Sequence, residues 1–369
     1  MRILALNYRD RLHPEAGGAE MHFHRIFKKI AERGHTVVLL TTAFPGAPAR
    51  EMVDGILVIR SGGDLFFQWT VARTLKKLDR EFQFDVIYED LNKLPLFTPF
   101  LTKKPHLIQI HHLWLSSIFR EAVFPVALAV WFFERMIPFI YRKSTFVAVS
   151  PSAVKELSGL GVSPSRIHLI YNGADGATEA RKLPQPKKPY FLWLSRVRKY
   201  KGIWVALAAF EKFSEKYPEV SLRIAGDGPE MEVLRTEIQK KGLAKRVILE
   251  GHVGKEKKQE LLASATALLQ TSFKEGWGLT VIEAGELGTV TIASNVSGLC
   301  DSVKHEKTGF LFPAGDAGAC AAYMERVYTN PKEREQMELA AAGFASEYSW
   351  EKASRETEAL LQKIILKNQ

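Results

Sequence analysis

The chain has 369 residues, 46% of them apolar and 25% charged, which suits a globular protein of two domains or one large one with a sizeable core. The formal net charge is +10, of which +7 falls in residues 1–184, and a basic surface favours anionic partners: phosphates, acidic lipid headgroups or nucleic acid. No nucleic-acid-binding motif accompanies that charge, and Cys300 and Cys320 have no His or Cys neighbour at metal spacing, so a nucleic-acid partner, a zinc site and a disulfide framework are not expected.

The first residues, MRILALNY, lack a basic stretch followed by a long apolar run. They read as a first strand, not a signal peptide, and with thiols suited to a reducing compartment they predict a cytoplasmic protein. Ile3–Leu6 is a strand, Gly17-Gly18 a loop, Ala19–Arg33 a helix stopped by Gly34, and Val37–Leu40 a second strand. That series is a βαβ unit. Further short apolar runs at Ile56–Ile59, Val86–Tyr88, Leu107–Ile110 and Phe146–Val149 predict a parallel sheet covered on both faces.

Phe119 to Lys143, FREAVFPVALAVWFFERMIPFIYRK, stands apart. Its longest uncharged run, Ala122–Phe133, is too short to span a bilayer, which needs about 20 residues. Two readings stay open. One is a core helix; the other is a surface helix that dips into a membrane and pairs its basic residues with anionic lipid.

RKLPQPKKP, Arg181 to Pro189, holds three prolines and four basic residues and reads as a linker. A second strand–helix series follows: Tyr190–Leu194, a helix around Ile203–Lys216, then Ser221–Ala225, Val247–Leu249, Ala267–Gln270 and Val290–Ala293 as strands, with a closing helix over Trp350–Leu366. The fold class is therefore α/β, with two Rossmann-like, doubly wound domains. The boundaries are 1–182, 183–345, and a C-terminal helix in 346–369 that returns to the first domain. In such sheets ligands bind beyond the carboxyl ends of the strands.

Four segments lie at such ends. Gly17-Gly18 would let backbone N–H groups approach an anion at a helix start, although two glycines can equally be a plain turn. The absence of G-x-G-x-x-G counts against an ordinary nicotinamide site. In WLSRVRKYKG, Arg196 offers a fork and Lys201 a point charge, a pair suited to a diphosphate; the alternative is a solvated basic loop. AGDGPE, residues 225–230, is first a structural turn. In EGWGLTVIEAGELG, residues 275–288, Glu275 precedes a helix that starts near Leu279, while Glu283 lies one turn inside it and Gly288 stops it. Nothing in this spacing places the two acids across a scissile bond, as a glycosidase needs. One carboxylate on either side of an anion-binding helix start instead suits hydroxyls flanking a diphosphate.

The ordered set PEAGGAE (14–20), RGH (33–35), VSPS (149–152), YNGAD (171–175), SRVRKYKG (195–202), GDGP (226–229), EGWGLTVIEA (275–284) and KTGFLF (307–312) resembles glycosyltransferase family 4, over nearly the whole length. These are retaining, nucleotide-sugar-dependent enzymes of the GT-B architecture, with two Rossmann-like domains facing a central cleft. The resemblance implies that Glu275 contacts donor-sugar hydroxyls and Glu283 the nucleotide ribose. Arg196 and Lys201 would neutralise the departing diphosphate, Gly17 and Gly18 would approach it from the first domain, and the N–H groups of Gly278, Leu279 and Thr280 from the second. The backbone near Val253 would hold the base. Of the pair ending QIHH, His111 matches the family's histidine near the donor sugar, and His112 stands where an Asp is frequent. No Asp-x-Asp motif is present, so neither metal nor cofactor is implied; the nucleotide sugar is a co-substrate. Thr289 stands in place of a proline, Glu286 of a small residue and Asn295 of an aspartate, and these departures touch fine specificity.

The expected reaction is transfer of a hexose from a nucleoside diphosphate sugar, a UDP-sugar foremost, to an acceptor hydroxyl with retention. The basic first domain and residues 119–143 favour a lipid or lipid-linked acceptor and peripheral contact with the inner face of the cell membrane. A UDP-N-acetylhexosamine epimerase of the same architecture and a non-catalytic nucleotide-sugar-binding module are the alternatives.

Overall fold

The structure, a computed structural model, describes residues 1–91, 94–174 and 186–368. The chain forms two compact units, Met1–Gly173 with Trp350–Gln369, and Ala174–Ser349. The division falls after Gly173, earlier in the chain than the linker read from composition. Residues 181–185 of that linker lie outside the described residues, and Lys188-Pro189 already belong to a strand.

In the first unit, β1 (Arg2–Leu6), β2 (Thr36–Thr41), β3 (Arg50–Val53), β4 (Ile56–Arg60), β5 (Val86–Asp90), β6 (His106–Ile110), β7 (Thr145–Ala148) and β8 (Ile167–Leu169) form one sheet in the order β3-β4-β2-β1-β5-β6-β7-β8. Every adjacent pair is parallel except β3–β4. Parallel strands lie between layers of helices, so both of their faces are buried and they read as unbroken apolar runs. Ile3, Leu4, Ala5 and Leu6 are accordingly all fully buried.

The helices of this unit are α1 (Gly18–Glu32), α2 (Phe67–Phe82), α3 (Thr98–Leu101), α4 (Phe124–Ile140) and α5 (Pro151–Gly159). The VSPS motif is the cap of α5: Ser150 Oγ accepts the Ala153 N–H at 3.2 Å, and Pro151 opens the helix where no amide partner is needed.

The second unit holds β9 (Lys188–Leu194), β10 (Ser221–Ala225), β11 (Val247–Gly251), β12 (Ala265–Gln270), β13 (Thr291–Ser294) and β14 (Gly309–Phe312) in the order β11-β10-β9-β12-β13-β14, all parallel. Its helices are α6 (Ile203–Lys216), α7 (Met231–Lys240), α8 (Lys255–Ser264), α9 (Leu279–Glu286), α10 (Leu299–Ser302), α11 (Ala317–Thr329) and α12 (Pro331–Ala345). One core packs Phe191 and Trp193 of β9 against Phe210 and Phe213 of α6 and Cys320 of α11. Neither Cys320 nor Cys300 is in a disulfide among the described residues.

The last helix, α13 (Trp350–Leu366), belongs to the first unit and packs on α1. Glu358 anchors it, receiving Arg33 Nε at 2.5 Å and lying 2.6 Å from His35 Nε2.

Helix α4 lies within the segment that sequence left open between core and surface. It is half of each. Ala127, Glu134, Ile137 and Ile140 are buried, whereas Phe124 is 67% and Phe139 62% exposed, with Val126, Leu128 and Phe132 exposed beside them. Arg135 stacks over the Trp131 ring at 4.3 Å, and Arg142 and Lys143 are exposed just beyond the helix. Among the described residues no helix is long and apolar enough to cross a membrane.

Candidate active site

Each sheet has one point where the chain winds off in opposite directions from a strand, and ligands collect beyond the carboxyl ends there. In the first sheet it lies between β1 and β5. The residues beyond those ends are tied together: Asn7 Nδ2 donates to Asp90 Oδ2 at 3.1 Å. Asp90, the last residue of β5, is fully buried. His111 follows β6, and its Nε2 lies 3.1 Å from one Asp90 oxygen and 3.2 Å from the other. Burial by itself would lower the His111 pKa, but the Asp90 carboxylate, with a smaller contribution from Glu20, outweighs it, so the imidazolium is favoured.

Helix α1 meets this group one turn from its start. Its His22 ring packs edge-on to His111 with centroids 4.8 Å apart, and Trp350 of α13 packs edge-on to His22 at 5.9 Å. His22 Nδ1 lies 2.6 Å from Asn172 Oδ1. Burial, and then the neighbouring His111, push the His22 pKa well below the usual imidazole value, so His22 is neutral. Gly17 caps α1, and its N–H donates to Glu20 Oε2 at 2.7 Å. That amide therefore already has an acidic partner from its own helix; Gly18 is the first helical residue.

In the second sheet the winding reverses between β9 and β12, where Gln270 Nε2 donates to the Leu194 carbonyl at 3.3 Å. Beyond β9 the chain runs through Arg196 into a short 3-10 turn, Lys199–Lys201. Lys201 Nζ donates to Glu275 Oε1 at 2.6 Å, and Ser272 Oγ donates to the same oxygen at 2.8 Å. Burial would lower the Lys201 pKa. Glu275 and Tyr200 raise it by more, and Arg196 opposes them, so the ammonium is kept. Arg196 itself is exposed, and no ion pair holds it among the described residues.

Gly278 caps α9 in the left-handed conformation, φ +87°, and a Cβ there would stand 3.0 Å from both Leu299 Cδ2 and Ser302 Oγ. The first bonds of α9 run from Val281 and Ile282 to the Gly278 carbonyl at 2.9 and 3.4 Å. The N–H groups of Leu279 and Thr280 therefore lie ahead of the helical ladder, at its positive end. Glu283, in the body of α9, accepts Lys258 Nζ of α8 at 2.6 Å. Val253, between β11 and α8, packs on the cluster that contains Leu192, Leu194 and Ala225. A helix start, two cations and two acids held by lysines can bind a diphosphate between hydroxyl-bearing groups.

Two family models match the chain: "Glycosyltransferase Family 4" over residues 16–177 and "Glycosyl transferases group 1" over residues 176–343. The chain belongs to the family 4 glycosyltransferases. It is 25% identical to the glycogen synthase of Mycobacterium tuberculosis, over 97% of this chain and 93% of that one. Among solved structures, sucrose-phosphate synthase from Thermosynechococcus elongatus superposes with a TM-score of 0.82 at 21% identity, covering 99% of this chain and all of that one. HepE from Anabaena, solved with UDP-glucose, superposes with a TM-score of 0.78 at 19% identity, covering 98% and 100%. These likenesses establish the GT-B fold.

Of the residues read from the sequence, this glycosyltransferase brings Lys201 to Glu275 directly and sets Arg196, Gly278, Leu279 and Thr280 in the same loop cluster of the second unit. Glu283 has a different partner, Lys258. In the first unit, α1 and its Gly17-Gly18 start adjoin His111 through His22. Asp175 of the YNGAD motif lies outside the described residues. Sequence reasoning missed Asp90, His22, Asn172, Ser272 and Lys258. Asp90 had a usable signal: it is an acid at the end of a strand that pairs, Asp90 beside Gln109, with the strand leading to His111.

The proline departure has a structural explanation. Thr289 Oγ1 donates to the Leu262 carbonyl at 2.6 Å and accepts Lys187 Nζ at 2.7 Å, and Lys187 also reaches the Ala263 and Gly288 carbonyls. A hydroxyl there completes the cradle of a buried lysine, which proline could not.

Proposed function

We propose that this glycosyltransferase moves a hexose from a nucleoside diphosphate sugar, with UDP the favoured nucleotide, to an acceptor hydroxyl with retention of anomeric configuration. The observation that carries the reading is the Lys201–Glu275 pair at the switch point of the second sheet, beside the start of α9. Lys201, Arg196 and the first amides of α9 would take the charge of the departing diphosphate. This is preorganised electrostatic stabilisation and needs neither a resident cofactor nor a metal. Glu275, with Lys201 and Ser272 on one oxygen, would accept hydrogen bonds from sugar hydroxyls. Glu283 would accept the ribose hydroxyls in the same way, and the backbone near Val253 would hold the base. His111 and Gly18 would serve the reaction from the first unit. The acceptor hydroxyl then attacks from the face that the diphosphate leaves.

The direct test is release of nucleotide from a panel of nucleotide sugars by the purified protein, with and without EDTA. Turnover of one donor, unchanged by EDTA, is the expected result. Release from none would end the transferase reading, and interconversion of a UDP-N-acetylhexosamine alone would point to an epimerase.

We further propose that the acceptor is lipid or lipid-linked and that α4 rests on an anionic membrane at the cytoplasmic face. The support is the outward face of Phe124, Val126, Leu128, Phe132 and Phe139, with Arg135, Arg142 and Lys143 beside it. Apolar side chains entering the acyl boundary and cations at the headgroups are the two forces that hold such helices. The double variant Phe124→Glu/Phe132→Glu should leave donor hydrolysis intact and abolish sedimentation with vesicles of acidic lipid. Unchanged vesicle binding would remove the membrane from the account.

A further inference from the structure

The buried group behind His111 has no part in the reading above, although that reading rests on His111. Asp90 is buried completely at the end of β5, and Asn7, just beyond β1, holds one of its oxygens. Both oxygens lie within 3.2 Å of His111 Nε2. A carboxylate there settles which imidazole nitrogen carries a proton, because a carboxylate only accepts. Nε2–H must point at Asp90, so Nδ1 is the nitrogen left for a ligand, and no hydrogen bond occupies it among the described residues. Neutral His111 would offer a lone pair at Nδ1; protonated His111 offers an N–H.

His22 decides how much room that ring has. Its ring closes one side of His111 and is itself held by Asn172 and by Trp350. Its Nε2 is buried and makes no hydrogen bond among the described residues. Two imidazoles in contact in a dry site cannot both be charged cheaply, since like charges at this separation repel strongly. Only one of them has a carboxylate. The other charged or titratable groups that bear on the pair are Glu20, on the same helix as His22, and His112, adjacent in sequence to His111. Trp350 of α13 and Asn172 bring no charge. The proton thus belongs to His111, and His22 is its uncharged wall.

We propose that Asp90 and His22 are positioning residues of the transfer reaction: Asp90 holds the His111 ring with a proton-bearing Nδ1 turned to the substrate, and the neutral His22, clamped by Asn172 and Trp350, keeps the ring from rotating. Neither touches substrate. This rests on the glycosyltransferase reading, in which His111 is the donor-sugar histidine. It implies that activity falls as pH rises through the raised His111 pKa, because the Nδ1 proton is then lost while Nε2–H stays on Asp90.

The test compares wild type, Asp90→Asn, His22→Phe and His22→Ala, using the best donor from the nucleotide-sugar screen. Each is followed by the pH profile of kcat/KM and by NMR titration of its histidines without substrate. Asp90→Asn keeps the shape and loses the charge. It should lower kcat by about tenfold or more, as outer partners of a functional imidazole do, and move the alkaline limb down by about one pH unit or more. The His111 NMR titration should move with it. His22→Phe keeps a ring against His111 and should retain most of the rate; His22→Ala should lose rate with the limb in place. An Asp90→Asn variant with an unshifted limb and unshifted His111 titration overturns the proposal, as does one with a shifted titration and an undiminished rate. If Asp90→Asn does not fold, the wild-type titration decides: a His111 pKa at or below the usual 6.5 overturns the assignment. Wild type that turns over no donor would instead sink the transferase reading itself.

Discussion

Replacing Lys201 by alanine is expected to lower kcat by about a hundredfold to a thousandfold, the usual cost of removing one preorganised donor from a developing negative charge. Lys201 is half-buried, held by Glu275 at 2.6 Å and charged despite its burial. A diphosphate arriving there would meet an ammonium already in place. The loss should fall on kcat more than on KM, because the interaction strengthens as charge moves onto the leaving group. Lys201→Arg should recover only part of the rate, since a planar fork replaces a point charge. Lys201→Ala and Glu275→Ala should also fail to add: removing either one breaks the same pair, so the double variant should be little worse than the poorer single one. Steady-state kinetics with the preferred donor measure all three. Wild-type kcat in Lys201→Ala would take the diphosphate clamp out of the account.

Gly226→Ala should have the largest effect on stability. Gly226 takes φ +138°, and a Cβ there would stand 1.8 Å from the Ser195 carbonyl oxygen. That contact is with backbone, so nothing can rotate away. The same glycine donates its N–H to the Gly251 carbonyl at 2.7 Å, and Ser195 N–H bonds Ala225 at 3.2 Å, so three strand ends are joined at this point. Pushing Ser195 aside moves the loop that carries Arg196 and Lys201. A loss above about 4 kcal/mol is expected, in the class of strain at a special backbone conformation. Set against a total stability of about 5–15 kcal/mol, that leaves little folded protein. Gly343→Ala is the control. Gly343 lies exposed in α12 with open space where Cβ would go, and alanine there should stabilise by roughly 0.5–1 kcal/mol. Thermal unfolding of the two variants would separate these outcomes; a folded Gly226→Ala with an ordinary melting temperature would contradict the close approach.

The sheets were legible in the sequence to within a residue or two because their central strands are buried on both faces. Ile3–Leu6, Val37–Leu40 and Tyr190–Leu194 could be nothing else. Two of the strands that escaped lack that pattern. β3 is an edge strand that begins Arg50-Glu51 and pairs on one side only. β8 has three residues, none fully buried. Helix α4 was ambiguous for a physical reason: it is apolar nearly all round, with Glu134 among the few residues that face inward, so periodicity could not tell the core side from the exposed side.

The same division holds for the site. Lys201 and Glu275 sit in segments whose glycines and charges carry a recognisable spacing. Asp90, His22 and Lys258 do not. Their importance comes from contacts made across the fold: Asp90 with His111 at the ends of neighbouring strands, His22 with His111 between helix and sheet, and Lys258 with Glu283 between two helices. Lys258 lies in KEKKQE, where nothing in the spacing marks one lysine from the others. Its reach to Glu283 depends on where α8 and α9 lie, which spacing along the chain does not encode.

The central claim is nucleotide-sugar-dependent transfer with retention, in which Glu275 recognises hydroxyls and forms no bond to the sugar. Proton NMR of the first product formed from an α-linked donor tests it most directly. The account predicts an α-linked product. A β-linked product would contradict it, because inversion requires attack from the face opposite the departing diphosphate.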